Sequence, residues 1–434
     1  MLPGTNLTDQ QIHDDLVQLV TLLLVGYGLW LLVKVLGRSR PGLMIGTPIA
    51  VAFIVRVMAS WAVGSTSFAS SLRGGDETFF LEDAHGIAQT AFGGAEWTHA
   101  LFNELFKFVF AGQILAFDSP DQALRITQAG IAVAGLVLLA VAVYELAGSR
   151  AAVVAAWLLA FEPASVFFST LLHKEPNMML AEGLVAFGGA AMWKRADLRY
   201  LLPITLGCLI AVATRPYAGW FLIAAGAAIT LHAGLRSRRE SGAGSLVLVA
   251  VVVLFGAIAA PTVWKASTHQ NLQRNVQQSQ NANASDDANL SLERVDFSTR
   301  GAIIVNLPQR IKDVLFRPYP WQLGNTSQQL GLLGTIVALV LLWILIRELW
   351  RSRGQIMARA GPLIYTGFFL LIAYSLSAGN AGTAFRYRTH IVAVAICLAV
   401  VLKFARERES AALRERVEAG SGELPMAETG LVSA

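Results

Sequence analysis

Apolar blocks alternate with short polar connectors along almost the whole chain. The blocks fall near 16–34, 43–65, 127–147, 151–171, 178–193, 200–214, 217–233, 244–264, 330–347, 361–377 and 389–403. A bilayer's hydrocarbon core takes about 20 residues of helix, and backbone groups inside it must be satisfied within the segment. The pattern therefore predicts an all-α, polytopic transmembrane helix bundle of about eleven spans. Several blocks are short, so tilting or support from flanking aromatics is expected. Two long segments, 66–126 and 265–329, break the rhythm. In the first, Phe102, Leu105, Phe106, Val109 and Phe110 interleave with Asn103, Glu104 and Lys107. The stretch 101–117 is too short to span and reads as an interfacial helix lying on the membrane. The second opens with a Gln-, Asn- and Ser-rich tract, 270–291, whose composition buries too little apolar surface to order itself. It returns through Phe316-Arg317-Pro318-Tyr319-Pro320-Trp321, aromatics that suit the headgroup region. The organisation that follows is a membrane domain over 1–403 and a charged tail over 404–434, read as a short helix fading into disorder. No inverted internal repeat of the transporter kind is visible.

Composition supports lipid as the solvent. Of the 434 residues 55% are hydrophobic and 15% charged, and mean hydropathy is +0.54. A soluble domain carries roughly 25% charged residues. Charge then orients the bundle. The N-terminal segment has Asp9, Asp14 and Asp15 and no Lys or Arg, whereas Lys34, Arg38 and Arg40 follow the first block. The positive-inside rule places the N-terminus outside, the reverse of a cleavable signal peptide. Alternating from there, Arg150, then Lys194, Arg195 and Arg199, then Arg236, Arg238 and Arg239 all fall inside. So do Arg347, Arg351, Arg353 and Arg359, and finally the tail with Lys403, Arg406, Arg408, Arg414 and Arg416. The chain reads as a multi-pass protein of the plasma (inner) membrane with a cytoplasmic C-terminus. Its net charge of +5 needs no nucleic-acid partner, because this sidedness accounts for it. Cys208 and Cys397 both sit inside blocks and read as packing residues; no Cys/His zinc spacing exists.

Candidate chemistry gathers on the outside. Gly74-Gly75-Asp76-Glu77 sets two carboxylates after two glycines, which permit tight turns close to a ligand. A carboxylate there can deprotonate an acceptor hydroxyl or help hold a divalent cation; a solvated acidic turn is the plainer alternative. Asp83 and His85 thicken the polar cluster. His173-Lys174-Glu175-Pro176 forms a hairpin richer in chemistry than a connector needs. There Lys174 can pair with phosphate and His173 can donate a hydrogen bond, against snorkelling at an interface. Arg215, Arg317, Arg386 and Arg388 lie at outside ends and break the positive-inside bias. Taken with Lys174 they favour a phosphate site over headgroup anchoring. Arg56 and Glu162 fall inside blocks, where charges are paired or line a cavity.

These residues in this order resemble the GT-C superfamily of polyprenyl-phosphate-sugar-dependent membrane glycosyltransferases. The likeness is to bacterial members akin to the protein mannosyltransferase and aminoarabinose transferase group. Carrying it are Gly75-Asp76-Glu77 opening a long outside loop, the interfacial helix, the 169–176 turn, the Arg-Pro-Tyr-Pro-Trp segment, and Gly379–Thr383 leading to Arg386-Tyr387-Arg388. The likeness spans roughly 16–403. It implies a GT-C-like fold and an inverting transfer of sugar from a polyprenyl-phosphate donor to a glycan, lipid or protein acceptor outside the cytoplasm. It implies Asp76 as general base, with Glu77 second, and Lys174, Arg386 and Arg388 at the basic positions; metal dependence stays open. Relatives often carry a soluble outside domain after the last span, and this chain ends in a cytoplasmic tail. A lipid-linked polysaccharide polymerase or ligase is the first rival reading, and a lipid or solute transporter the second.

Overall fold

The computed structural model describes residues 7–65, 70–93, 105–237, 299–322, 326–352, 354–379 and 381–418. The expected span 244–264 and the 270–291 tract lie outside these residues. The described chain is helical throughout: α1 (Leu7–Arg38), α2 (Gly46–Ser65), α3 (Ser70–Gly93), α4 (Leu105–Phe117), α5 (Asp121–Ala147), α6 (Ser149–Ala160) and α7 (Pro163–Phe168) come first. Then follow α8 (Glu175–Arg195), α9 (Leu201–Thr214), α10 (Pro216–Ser237), α11 (Arg300–Phe316), α12 (Thr326–Arg351), α13 (Ile356–Ser377) and α14 (Ala381–Glu418). Seven of them are long and apolar enough to cross a membrane, among them α1, α5, α12 and α14. Three apolar helices are shorter, including α4 and α6.

The described residues depart from the block pattern at several places. The block 151–171 divides at Phe161-Glu162-Pro163. Proline cannot continue a helix, and the Glu162 carboxylate caps α7 by accepting from the Ala164 and Ser165 amides. Arg56 and Glu162 are not within ion-pair distance. Arg56 instead donates to the Ala52, Ala160 and Leu159 carbonyls and, at 2.8 Å, to Ser165 Oγ, stapling α2 to the α6–α7 break. The glycine pair at 74–75, expected in a turn, lies within α3. The reason is the buried stripe that follows, Phe80 half-buried with Ala84, Ile87 and Ala88 buried, at helical spacing. That stripe packs on Phe106, Phe110 and Ile114 of α4, so the amphipathic face of α4 is covered by α3. The final helix does not stop at the 403 boundary but continues to Glu418.

α5 is the mast of the bundle. It packs along α8 and against α1, α2, α6 and α14, and 83% of its most apolar stretch is buried. Helices α5 and α8 meet through glycine: a Cβ on Gly183 would lie 2.5 Å from the Gly135 carbonyl oxygen. α9 approaches α8 the same way, where a Cβ on Gly207 would lie 2.6 Å from Ala181 O. By contrast only 17% of the apolar stretch of α1 and 28% of that of α12 are buried.

The basic connectors converge at one end. Glu145, buried at the close of α5, holds Arg40 at 2.8 Å and Arg195 at 3.0 Å. Glu348, buried in α12, is ringed by Arg347 at 3.1 Å, Arg406 at 3.2 Å and Arg351 at 3.8 Å. Arg359 pairs with Glu409 of the extended α14.

Candidate functional site

The opposite end is organised around the 169–175 turn. Ser169 and Thr170 close α7 by donating their hydroxyls back to Val166 O and Phe167 O. Pro176 then starts α8. Two ion pairs fix this turn. From α3, the Glu77 carboxylate accepts the Leu172 amide at 3.1 Å and meets Arg125 Nη1 at 2.6 Å. The same Arg125 Nη1 donates to Thr170 O at 3.0 Å. Both side chains are buried. From the other side, Arg215 Nη2 donates to Glu175 Oε1 at 2.6 Å; Glu175 is fully buried and Arg215 nearly so.

His173 and Lys174 sit between these pairs. His173 is buried with its ring edge-on to Phe80, centroids 6.1 Å apart. Lys174 is partly exposed, its ammonium 5.7 Å from the Phe80 ring centre and 5.4 Å from that of Phe106. Lys107 lies over the same Phe80 ring and pairs with Asp83. A lysine held over aromatic faces keeps its charge while shedding part of its water. Arg386 acts electrostatically on Glu175. Arg215 lies over the Tyr387 ring at 4.8 Å, and the Tyr387 and Tyr217 hydroxyls are hydrogen-bonded.

The structure thus brings Glu77, His173, Lys174, Arg215 and Arg386 around one turn. Asp76 belongs to α3 beside Glu77, but its side chain lies outside the described residues. Arg317 and Arg388 form a neighbouring cluster. Asp313, fully buried, holds Arg317 at 3.0 Å and Arg310 at 3.7 Å. Tyr319 leans on the same carboxylate; burial, then the Asp313 charge, raises its phenol above the ordinary value, keeping it a neutral donor. Arg388 donates to Leu315 O, Arg317 O and Thr335 Oγ1 at 3.0 Å each and to Gly331 O at 3.1 Å. Its guanidinium therefore ties α11 and α12 to α14. The peptide bond joining Arg317 to Pro318 is cis.

Chemically, the turn offers three cations: Lys174 and Arg386, each partly exposed, and Arg215, buried against Glu175. Arg215 Nη1 has no protein hydrogen-bond partner among the described residues, so it retains a donor for an anion. An open groove of about 910 Å³ lies between α1, α4 and α5 at this end, lined mainly by apolar side chains such as Leu16, Val20, Leu24 and Phe117, with His13, Thr21, Gln113, Asp118 and Thr127 as polar groups. Among the described residues no three His, Cys, Asp or Glu side chains are grouped to hold a metal. Cys208 and Cys397 are buried and free.

Sequence reasoning missed Arg125, the partner that fixes Glu77. The signal was present: it is a lone arginine at the mouth of the 127–147 block. It also missed Glu182 and His390, which lie inside blocks and fall under the same rule that picks out Arg56. No family model, no curated protein and no solved structure matches the chain.

Proposed function

We propose that this chain is a multi-pass membrane glycosyltransferase of GT-C type, moving a sugar from a polyprenyl-phosphate donor to an extracytoplasmic acceptor. The observation that carries the reading is the turn at 169–175, where Lys174, Arg215 and Arg386 gather beside the acidic segment of α3. A lipid-borne phosphate needs that combination. Its chain partitions into lipid, so the headgroup reaches only a site at membrane level, and its departure as an anion requires fixed positive charge. The groove between α1, α4 and α5 gives an isoprenoid chain an apolar bed at the same end of the bundle.

In this reading Asp76 is the base. It takes the proton of an acceptor hydroxyl as that oxygen attacks the anomeric carbon. The bond from that carbon to the phosphate oxygen breaks, and polyprenyl phosphate leaves with its charge facing Lys174, Arg215 and Arg386. One displacement inverts the anomeric centre. Glu77 is committed to Arg125 and the Leu172 amide, which leaves it the role of holding the turn. Arg388 is engaged with carbonyls and supports the site from behind. The N-terminus and this end of the bundle then face outside, and the arginine-rich end faces the cytoplasm, as the positive-inside rule requires. Loss of one phosphate contact is expected to slow transfer on the order of 10²–10³-fold.

The test is transfer of radiolabelled sugar from polyprenyl phosphate by the purified protein, comparing wild type with Asp76→Asn. Wild-type transfer abolished by the substitution is the expected result. Equal activity in both overturns the assignment of the base, and no transfer from any polyprenyl donor overturns the enzyme class.

A further inference from the structure

Deeper in the bundle lies an ionisable pair that the proposed transfer does not use. Glu182 of α8 and His390 of α14 are both fully buried, with His390 Nδ1 3.2 Å from Glu182 Oε2. The contact is one of proximity: neither Glu182 oxygen and neither His390 ring nitrogen makes a well-oriented protein hydrogen bond among the described residues. Glu182 follows Glu175 by two turns on the same face of α8, about 10 Å along the axis. Aromatic rings fill the interval. Tyr374 of α13 stacks on His390 with centroids 5.5 Å apart and on Tyr387 at 4.5 Å. Tyr387 in turn carries the Arg215 guanidinium on its face and bonds the Tyr217 hydroxyl. A column of stacked rings thus joins the Glu182–His390 pair to the Arg215–Glu175 pair.

The ionisable groups turned toward Glu182 are His390 and Cys397 from α14 and Tyr374 from α13. From the α9–α10 corner, Arg215 and Tyr217 face Tyr374. α5, packed along α8, has Arg125 and Glu145 near its two ends, paired with Glu77 and with Arg40 and Arg195. Nothing in this set neutralises Glu182 except the imidazole. An uncompensated buried charge is strongly disfavoured, whereas a carboxylate and an imidazole holding one proton between them are neutral whichever atom carries it. An anion arriving at Arg215 adds one negative charge to the column, and a second proton on the pair cancels it.

We propose that Glu182 and His390 form a proton-binding site inside the bundle, and that binding of a phosphate anion at Arg215 is linked to uptake of a solvent proton by this pair. The anion half of the proposal rests on the functional reading above. The balance is simple: the free pair shares one proton, and the complex takes up a fraction of a second proton. Water supplies it, and no bond to the ligand changes. At about 10 Å and an effective dielectric of about 20, one charge moves a protonation equilibrium on the order of tenfold. Because the complex binds more protons than the free protein, affinity rises as pH falls.

A suitable probe is farnesyl methyl phosphate, a phosphodiester whose single charge is constant near neutral pH. It is titrated calorimetrically into the full chain in lipid nanodiscs, in two buffers of different ionisation heat and across near-neutral pH. The expected result is a binding heat that depends on the buffer with the sign of proton uptake, and an affinity that increases up to about tenfold toward acid. Glu182→Gln with His390→Asn is expected to bind with neither dependence. Where that pair of changes prevents folding, His390→Gln alone serves, since Glu182 by itself cannot take a second proton. Binding with heats independent of buffer, or uptake that survives in either variant, overturns the linkage and leaves the anion site standing. No binding of the probe to wild type overturns the anion site, and the linkage with it.

Discussion

Arg125 makes the clearest test of the packing logic at this end of the bundle. Its guanidinium and the Glu77 carboxylate are both about 5% exposed and meet at 2.6 Å. Replacing Arg125 by Met removes the guanidinium that meets the buried Glu77 carboxylate at 2.6 Å. Breaking such a pair from one side costs on the order of 3–5 kcal/mol. Replacing Glu77 by Leu strands the guanidinium equally. The double replacement removes both charges, and the Leu172 amide and the Thr170 carbonyl each lose a partner, at about 1–3 kcal/mol each. The three variants are therefore expected to be non-additive, with the double no less stable than either single. Thermal unfolding of detergent-solubilised protein, followed by loss of the monomer peak on size exclusion, gives the ranking. A double variant whose loss equals the sum of the two single losses refutes the coupling, and with it the claim that this pair anchors the turn.

Other expectations are cheaper to check. Arg388→Met removes donors from three carbonyls and Thr335 and is expected to destabilise by at least about 3 kcal/mol, with Arg388→Lys intermediate; a wild-type melting profile contradicts its role as a tie. Gly183→Ala forces a methyl against the Gly135 carbonyl and is expected to cost roughly 1–3 kcal/mol, whereas Gly112→Ala, with open space around it, is expected to be near neutral; equal melting shifts contradict the close approach of α5 and α8. At the arginine-rich end, Glu348→Ala leaves three arginines facing one another and is expected to lower the melting temperature more than loss of any one of them, each being a partly exposed partner worth about 1 kcal/mol or less.

Much of this arrangement was readable from residue order. The apolar blocks within the described residues became helices because a length near that of a bilayer leaves the backbone no alternative. Other features needed three dimensions. Glycines at 74–75 suggest a turn locally, yet the stripe from Phe80 to Ala88 gains more by packing on α4 than the glycines lose in entropy. Glu77 and Arg125 are 48 positions apart, taking the difference of their residue numbers, and nothing in either neighbourhood specifies the other. Four outside arginines look equivalent in sequence. Folding separates them, because Arg215 pairs with Glu175 of the turn while Arg388 is surrounded by carbonyls.

The three helices α1, α5 and α12 are almost equally apolar, yet α5 is enclosed by protein while the other two are largely uncovered. Apolarity alone therefore does not report which surface meets lipid tails. A photoreactive carbene dissolved in the acyl phase would decorate Leu23 and Trp30 or Leu339 and Trp343, and would spare the interior of α5 although it is the greasiest segment of the three.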